Sequence, residues 1–155
     1  MLECDCLAKA LPVSEVDISC FAHATEDEGK VLDAVRHILP FACVESVVFA
    51  KTKAQGHHGN PITVFETKIK DKETVRAVVD YMAANMSLLD KETLLNEIEK
   101  HVEKGNFYVR LDKQAAFQGA FKLAVVDPIR VRLRLKKNRF EDVVEICREI
   151  GMLPQ

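Results

Sequence analysis

Hydrophobic and polar residues alternate along several short segments of the chain, and this period of two is typical of half-buried β-strands. The cleanest case is residues 129–136, in which every second residue is apolar. Runs of β-branched and aromatic residues indicate further strands. The predicted strands cover residues 16–23, 44–53, 62–70, 107–112, 120–126 and 129–137.

Four other segments carry apolar residues at helical spacing. The first follows a capping box at Thr25 to Glu28 and ends before Pro40. The caps of the other three are predicted at Asp71, Asp90 and Asn138. The resulting order, β-α-β-β-α-α-β-β-β-α, favours an α+β fold with two layers, a largely antiparallel sheet with helices on one face. The other face of such a sheet is available for binding.

The length and composition are those of an ordinary globular domain, with 155 residues of which 48% are hydrophobic and 30% charged. We expect one domain over residues 1–155, with about residues 1–14 as a loose N-terminal lead. No apolar run approaches the roughly 20 residues that span a bilayer, and the acidic N-terminus differs from a secretory signal. We therefore expect a cytoplasmic protein with no membrane partner.

Charge is strongly segregated along the chain, although the formal net charge is only −2. Residues 1–50 carry a formal charge of −6, and residues 104–139 carry +8. Within the basic stretch, alternation places the cations of residues 130–136 on one face, about 6.6–6.8 Å apart. That spacing is comparable to the phosphate spacing of an extended nucleic acid. The alternative is a solvated sheet face whose arginines pair with carboxylates on adjacent strands.

Two further features favour RNA. Alternation turns Tyr108 and Arg110 outward, where they can stack on bases or pair with them. The loop of residues 56–61 offers imidazole, amide and glycine backbone groups to a phosphate backbone, although a simple long hairpin turn explains the same residues. The candidate RNA-binding residues are Lys51, Lys53, His57, His58, Asn60, Tyr108, Arg110, Lys113, Gln114, Lys122, Arg130, Arg132, Arg134 and Lys136.

The chain carries little that indicates catalysis or metal binding. His23, His57 and His58 are the candidate general acids or bases, but no hydrolase elbow, phosphate-binding loop or metalloprotease motif accompanies them. Cys4 and Cys6 supply only two of the roughly four ligands that structural zinc requires. We expect no catalytic residue, no metal and no cofactor.

Three segments resemble a family of small archaeal RNA-binding proteins that are predicted to associate with the exosome. These are Cys-Phe-Ala-His-Ala-Thr-Glu-Asp at 20–27, Gly-His-His-Gly-Asn-Pro-Ile at 56–62 and Val-Arg-Leu-Asp-Lys-Gln-Ala-Ala at 109–116. The resemblance spans roughly residues 16–136. It implies RNA binding, an association with the exosome or other RNA-processing proteins, and a ribosomal-protein-L-five-like fold.

These observations together lead to the hypothesis of a non-catalytic RNA-binding protein. The alternative is a protein–protein interaction or self-association module that uses the same charged face. In a homodimer of that kind, the basic face of one copy meets the acidic residues 3–33 of another.

Overall fold

The computed structural model describes residues 11–56 and 58–155. Six strands form one sheet in the order β2-β3-β1-β6-β5-β4, and every neighbouring pair is antiparallel. The strands are β1 (Val13–His23), β2 (Ala50–Gln55), β3 (Pro61–Ile69), β4 (Val102–Glu103), β5 (Asn106–Leu111) and β6 (Ile129–Leu135).

The helices form a second layer on one side of the sheet. They are α1 (Glu28–His37), α2 (Lys72–Asn85), α3 (Leu88–Asn96), α4 (Ile98–His101), α5 (Lys113–Phe117) and α6 (Phe140–Glu149), with a short 3₁₀ turn at Val44–Ser46. Helices α1 and α2 pack on β1, α6 packs on β4 and β5, and α5 packs on α1. The two-layer α+β architecture is therefore confirmed. None of the helices in the described ranges is long and apolar enough to cross a membrane.

The hydrophobic core lies between the two layers. The inward residues of the central strands, such as Ile18, Val109, Val131 and Leu133, are fully buried. They face buried residues of the helices, such as Met82 of α2. Because strand side chains alternate between the two faces, burying one set exposes the intervening charged set on the opposite face.

One predicted helix cap is confirmed and three are wrong. The Asp71 carboxylate accepts a hydrogen bond from the Thr74 backbone N–H at 3.1 Å, as expected. At α1 and α3 another residue of the Ser, Thr, Asp and Asn class takes the cap, because all four satisfy the free amides of a first turn and local sequence does not rank them. At α6 the cap position holds Arg139, which makes no side-chain cap hydrogen bond. The observed caps are Asp27 rather than Thr25, Ser87 rather than Asp90 and Arg139 rather than Asn138.

The predicted strand over residues 120–126 is wrong. Only Leu123 pairs there, in an isolated bridge with Leu111, and Val125 and Val126 are exposed. The preceding segment, for which no helix was predicted, forms α5, whose first turn is capped by the Asp112 carboxylate. Backbone hydrogen bonds from the Asp112 N–H to the Lys122 carbonyl and from the Ala124 N–H to the Arg110 carbonyl flank the bridge, and the chain then bends at residues 125–127.

The predicted strand over residues 44–53 is shorter than expected. Its first residues form the 3₁₀ turn, and the strand β2 begins only at Ala50. The predicted hairpin with β3 is confirmed, because β2 and β3 pair in antiparallel register from Ala50 opposite Glu66 to Gln55 opposite Pro61.

Replacing Leu133→Ala tests the placement of the core. This side chain is fully buried in β6, so we expect the free energy of unfolding to fall by about 2–5 kcal/mol in urea denaturation. Arg134→Ala, at the adjacent and exposed position, is the control and should change stability by no more than about 0.5 kcal/mol. Equal losses in the two variants would contradict the assignment of the two faces.

Candidate nucleic-acid interface

The face of the sheet away from the helices, called here the open face, carries the outward residues of β1, β3, β5 and β6. In one row across it, Asp17 of β1 lies opposite Lys68 and Arg132, and Tyr108 lies beyond Arg132. Arg132 donates a hydrogen bond to Asp17 Oδ2 and lies 3.6 Å from Glu15 Oε2. The charge of Arg132 is therefore balanced within the chain. This agrees with the alternative in which arginines of the sheet face pair with carboxylates on adjacent strands.

The neighbouring row contains two arginines side by side. Arg130 of β6 lies between Ser19 of β1 and Arg110 of β5. Arg130 is exposed and its guanidinium lies 5.5 Å from the centroid of the Phe21 ring, whereas Arg110 is half-buried. Within residues 11–56 and 58–155, neither arginine has a carboxylate within ion-pair distance. This row presents positive charge that the chain does not neutralise by direct contact.

Three other predicted cations are exposed near β5 and β6. Arg134 lies opposite Asn106, and Lys136 follows the end of β6, where its backbone N–H donates to the Pro12 carbonyl at 2.9 Å. The Lys122 carbonyl accepts from the Asp112 N–H at 2.8 Å and fixes the backbone of that lysine. These positions leave all three side chains in solvent.

The backbone of Tyr108 is held by the helical layer, which fixes its strand. His101 Nδ1 lies 3.1 Å from the Tyr108 carbonyl oxygen. Burial lowers the pKa of His101, so the ring is neutral at pH 7 and can donate this bond through Nδ1–H. The Tyr108 side chain itself is half-buried on the open face.

Lys51 and Lys53 lie on the opposite face from the arginines. Their partners across the hairpin are Phe65 and Thr63, whose side chains are buried beneath the helical layer. The ammonium groups of Lys51 and Lys53 lie 2.7 and 2.6 Å from the Glu28 carboxylate of α1. Hydrogen bonds from Lys51, Lys53 and Thr63 lower the pKa of Glu28 to about 2. The structure does not bring these two lysines together with the arginine face.

The loop between β2 and β3 is closed by its own backbone. The Gly56 N–H donates to the Asn60 carbonyl at 2.6 Å, and the Gly59 N–H donates to the Gly56 carbonyl at 3.0 Å. Gly59 has a φ of 78°, which favours glycine. His58 and Asn60 are exposed, and His57 lies outside the described residues. The described part of the loop thus forms a turn held by its own backbone hydrogen bonds, and its contact with RNA remains a prediction.

Lys113 lies in an ion-pair cluster at the end of the sheet rather than in solvent. Its Nζ donates to Asp127 Oδ2 at 2.7 Å, to Glu26 Oε1 at 3.1 Å and to the Phe21 carbonyl at 2.6 Å. On its other side, Asp127 Oδ1 lies 3.0 Å from His23 Nε2. Gln114 is the next residue of α5, which packs against α1 and not on the open face.

The cluster favours the charged forms of Asp127 and Lys113. Burial raises the pKa of Asp127, but hydrogen bonds from Lys113 and His23 outweigh it and leave that pKa below its ordinary value. Burial lowers the pKa of Lys113, but hydrogen bonds to Asp127 and Glu26 reverse the effect and raise it. Asp127 also has a φ of 48°, a left-handed conformation that costs energy for any residue with a Cβ.

The same cluster resembles a metal site in its donor atoms but not in its charge. His23, Glu26 and Asp127 each offer one ligand atom, and these atoms lie within 4.8 Å of one another. The Lys113 ammonium already pairs with both carboxylates and supplies the positive charge that a metal ion would bring there. The cluster therefore fits an internal ion-pair network better than a metal site. The other candidate ligands, Cys4 and Cys6, lie outside the described residues.

A family model described as RNA binding matches residues 15–135, which is most of the chain. The chain belongs to this RNA-binding family. It is 34% identical over 148 residues to RNA-binding protein PAB1135 of Pyrococcus abyssi (strain GE5 / Orsay), covering 92% of this chain and 96% of the relative. The family resemblance is thereby confirmed, while the exosome association and the ribosomal-protein-L-five-like fold remain predictions.

Solved structures of other archaeal proteins have the same fold. Protein AF2318 from Archaeglobus fulgidus is 29% identical, with a TM-score of 0.78 over 89% of this chain and 99% of that one. Mth689, a DUF54 protein from Methanothermobacter thermautotrophicus, is 27% identical, with a TM-score of 0.73 over 89% of this chain and 97% of that one.

The three segments that carry the family resemblance meet at one end of the sheet. His23 at the end of β1 pairs with Ile62 after the β2–β3 loop, and Lys113 at the start of α5 reaches Phe21 of β1. The sequence pattern gives no periodic signal for Glu26 and Asp127, because they meet Lys113 only through the tertiary fold. Glu26 falls within the capping box and Asp127 precedes Pro128 between two predicted strands, so the local sequence marks them only as cap or turn residues.

Replacing Asp127→Asn tests the charge balance of the cluster. Asn tolerates the left-handed backbone, so the change removes mainly the charge. Because folding lowers the pKa of Asp127, its contribution to stability is present above its ordinary pKa of 3.8 and is lost as the pH falls through the folded value. We expect a loss of about 1–2 kcal/mol at pH 7, intermediate between exposed and buried pairs, that shrinks in acid.

Urea denaturation of wild type and variant between about pH 3 and pH 7 measures this difference. Asp80→Asn, which removes an exposed carboxylate from α2, is the control and should cost no more than about 0.5 kcal/mol. A loss for Asp127→Asn that stays constant down to the most acidic condition would contradict the ion-pair assignment.

Proposed function

We propose that this protein is a non-catalytic RNA-binding protein that holds RNA on the open face and at the end of the sheet where the family segments meet. Family membership supports RNA as the ligand. The observation that carries the choice of surface is the row of Arg130 and Arg110, whose charges no carboxylate of the described residues neutralises by direct contact. An unpaired guanidinium in solvent is available to a phosphate without first breaking an ion pair.

The phosphate contacts are assigned to the exposed cations of β6 and its neighbours, namely Arg130, Arg134, Lys136 and Lys122. Arg130 and Arg134 lie four residues apart on one face, about 13 Å along the strand, which spans roughly two phosphate intervals. Arg132 lies between them but is bound to Asp17, so a phosphate must compete with that carboxylate. We assign to Arg132 a smaller share of the binding energy.

Base contacts are assigned to Tyr108 and Arg110 of β5, which lie opposite Arg132 and Arg130 of β6. Both are half-buried, so each presents only part of its plane to a ligand. With an aromatic content of 6% and no Trp, the chain has few stacking groups. Recognition of the backbone and of RNA shape therefore dominates over base stacking.

The exposed loop residues His58 and Asn60 extend the surface beyond the sheet, and the assignment of His57 to RNA rests on the sequence alone. The pairing of His23 with Ile62 sets this loop beside the Lys113 cluster. Imidazole and amide groups bind phosphate oxygens and 2′-hydroxyls, the group that distinguishes RNA from DNA. The loop is proposed to close over the backbone of the RNA at that end.

A double variant, Arg130→Ala with Arg134→Ala, tests the assigned surface. Each phosphate contact contributes about −0.7 to the slope of log K against log salt concentration on single strands, so we expect the slope to lose about 1.4. Fluorescence anisotropy with a labelled single-stranded RNA across a salt series measures it.

The matched control removes the same charge from the other face. Lys51→Ala with Lys53→Ala also eliminates two cations, but these are bound to Glu28 on the helical side of the sheet. We expect its salt slope to stay within experimental error of the wild type. If both double variants reduced the slope equally, only total charge would matter and the open face would not be the binding surface.

Self-association through the same face is the alternative function, and the structure offers it little support. Of the carboxylates that this contact requires, Glu15, Asp17, Glu26 and Glu28 form ion pairs within the chain, which leaves Asp27 and Asp33 exposed in the described part of residues 3–33. Sedimentation at low and high salt separates the two functions. A dimer that salt disperses, with no RNA bound, would favour self-association.

An association with the exosome or with other RNA-processing proteins is proposed as the cellular context. Its support is the resemblance of the sequence to a family predicted to associate with that complex. Co-purification of the tagged protein before and after nuclease treatment tests it, because a direct protein partner stays bound when the RNA has been removed.

A further inference from the structure

A pocket opens at the edge of the open face, between β1, the start of β6 and the chain that leads into β6. Its volume is about 300 Å³, at the lower end of the range for small-ligand sites. Its lining includes Ser19, Phe21, His23, Val125, Pro128 and Arg130. Of the four cations assigned to phosphate contacts, only Arg130 lines this pocket.

The pocket has apolar walls and a cationic plane. Phe21, Val125 and Pro128 form the apolar part, and the Val125 side chain is 91% exposed. A ligand that covers it gains the free energy of removing apolar surface from water. The Arg130 guanidinium lies over the Phe21 ring at 5.5 Å, which holds a flat charged group at the side of the pocket.

Polar groups complete the pocket. Ser19 and His23 are polar residues of the lining, and His23, whose side chain is 41% exposed, contacts Asp127 through Nε2, so Nδ1 is the ring nitrogen assigned to a ligand. Asp127 also lines the pocket, and Lys113, 2.7 Å away, compensates its charge only in part, because Lys113 pairs with Glu26 as well. The neutral base is therefore placed in the pocket, and the phosphates of the ligand are placed on the exposed side of Arg130.

We propose that this pocket binds one unstacked base of a single-stranded RNA, and this inference rests on the proposed RNA-binding function. The base stacks against the Arg130 guanidinium, Val125 covers its other face, and Ser19 and His23 hydrogen-bond to its edge. RNA bases are commonly held in this way, on guanidinium planes and polar edges. A base inside a duplex is already stacked and paired, so the pocket selects single-stranded over double-stranded RNA.

The two exposed valines beside the pocket offer a matched pair of variants. Val125→Asp places a carboxylate in the pocket, whereas Val126→Asp adds the same charge at the next residue, which is 83% exposed and does not line the pocket. The probe is a single-stranded RNA of about eight nucleotides, within the usual site size, with 2-aminopurine at one position. Anisotropy gives the affinity, and 2-aminopurine emission reports whether a base leaves the stack.

For the wild type we expect tighter binding of the single strand than of the same RNA annealed to its complement, with a change in 2-aminopurine emission for at least one label position. Val125→Asp should weaken single-strand binding roughly 5- to 150-fold, the range for loss of one stacked base, and abolish the emission change. Val126→Asp should stay within about threefold of the wild type, since its side chain does not line the pocket and its charge lies in solvent.

Equal weakening by the two variants, or equal binding of single-stranded and duplex RNA, would overturn the pocket as a base site while leaving RNA binding by the open face intact. Failure of the wild type to bind either RNA would overturn the proposed function together with the pocket. Circular dichroism of both variants confirms that any loss is not one of folding.

Discussion

The ammonium of Lys113 joins three parts of the chain at one end of the sheet. It contacts the Phe21 carbonyl on β1, the Glu26 carboxylate in the turn before α1 and the Asp127 carboxylate before β6. Without this cation, two carboxylates would remain close together and partly buried, which is strongly unfavourable. Because Phe21 and Asp127 also line the proposed base pocket, the shape of this end of the sheet depends on the ion-pair network around Lys113.

Ion pairing inside the chain decides which of its cations can meet a phosphate. Arg132 and Arg130 are two residues apart on the same face of β6, yet Arg132 is bound to Asp17 and Arg130 lies over an aromatic ring. The ion pair with Asp17 cancels most of the electric field of Arg132, whereas the charge of Arg130 stays available to a ligand in solvent. The basic stretch of residues 104–139 is thus partly structural, and a net charge of −2 for the whole chain is compatible with a locally positive face.

The α+β architecture and the two faces of the sheet were predictable because strand alternation is a local property of the sequence. The segment containing Val125 and Val126 misled that reasoning, since β-branched residues favour strands but this stretch forms only an isolated bridge. The partner of Arg132 was not predictable, because Asp17 lies 115 residues away and meets it only through the register of β1 with β6. The same holds for Lys113, whose partners come from separate turns.

An NMR titration of the full chain with single-stranded RNA distinguishes the two sides of the sheet. We expect chemical shifts to change at Arg130, Arg134 and His23, on the open face and its end, and to stay nearly constant along α2 and α6 in the helical layer. Shift changes concentrated on α2 and α6, with the open face unperturbed, would contradict the placement of the RNA-binding surface.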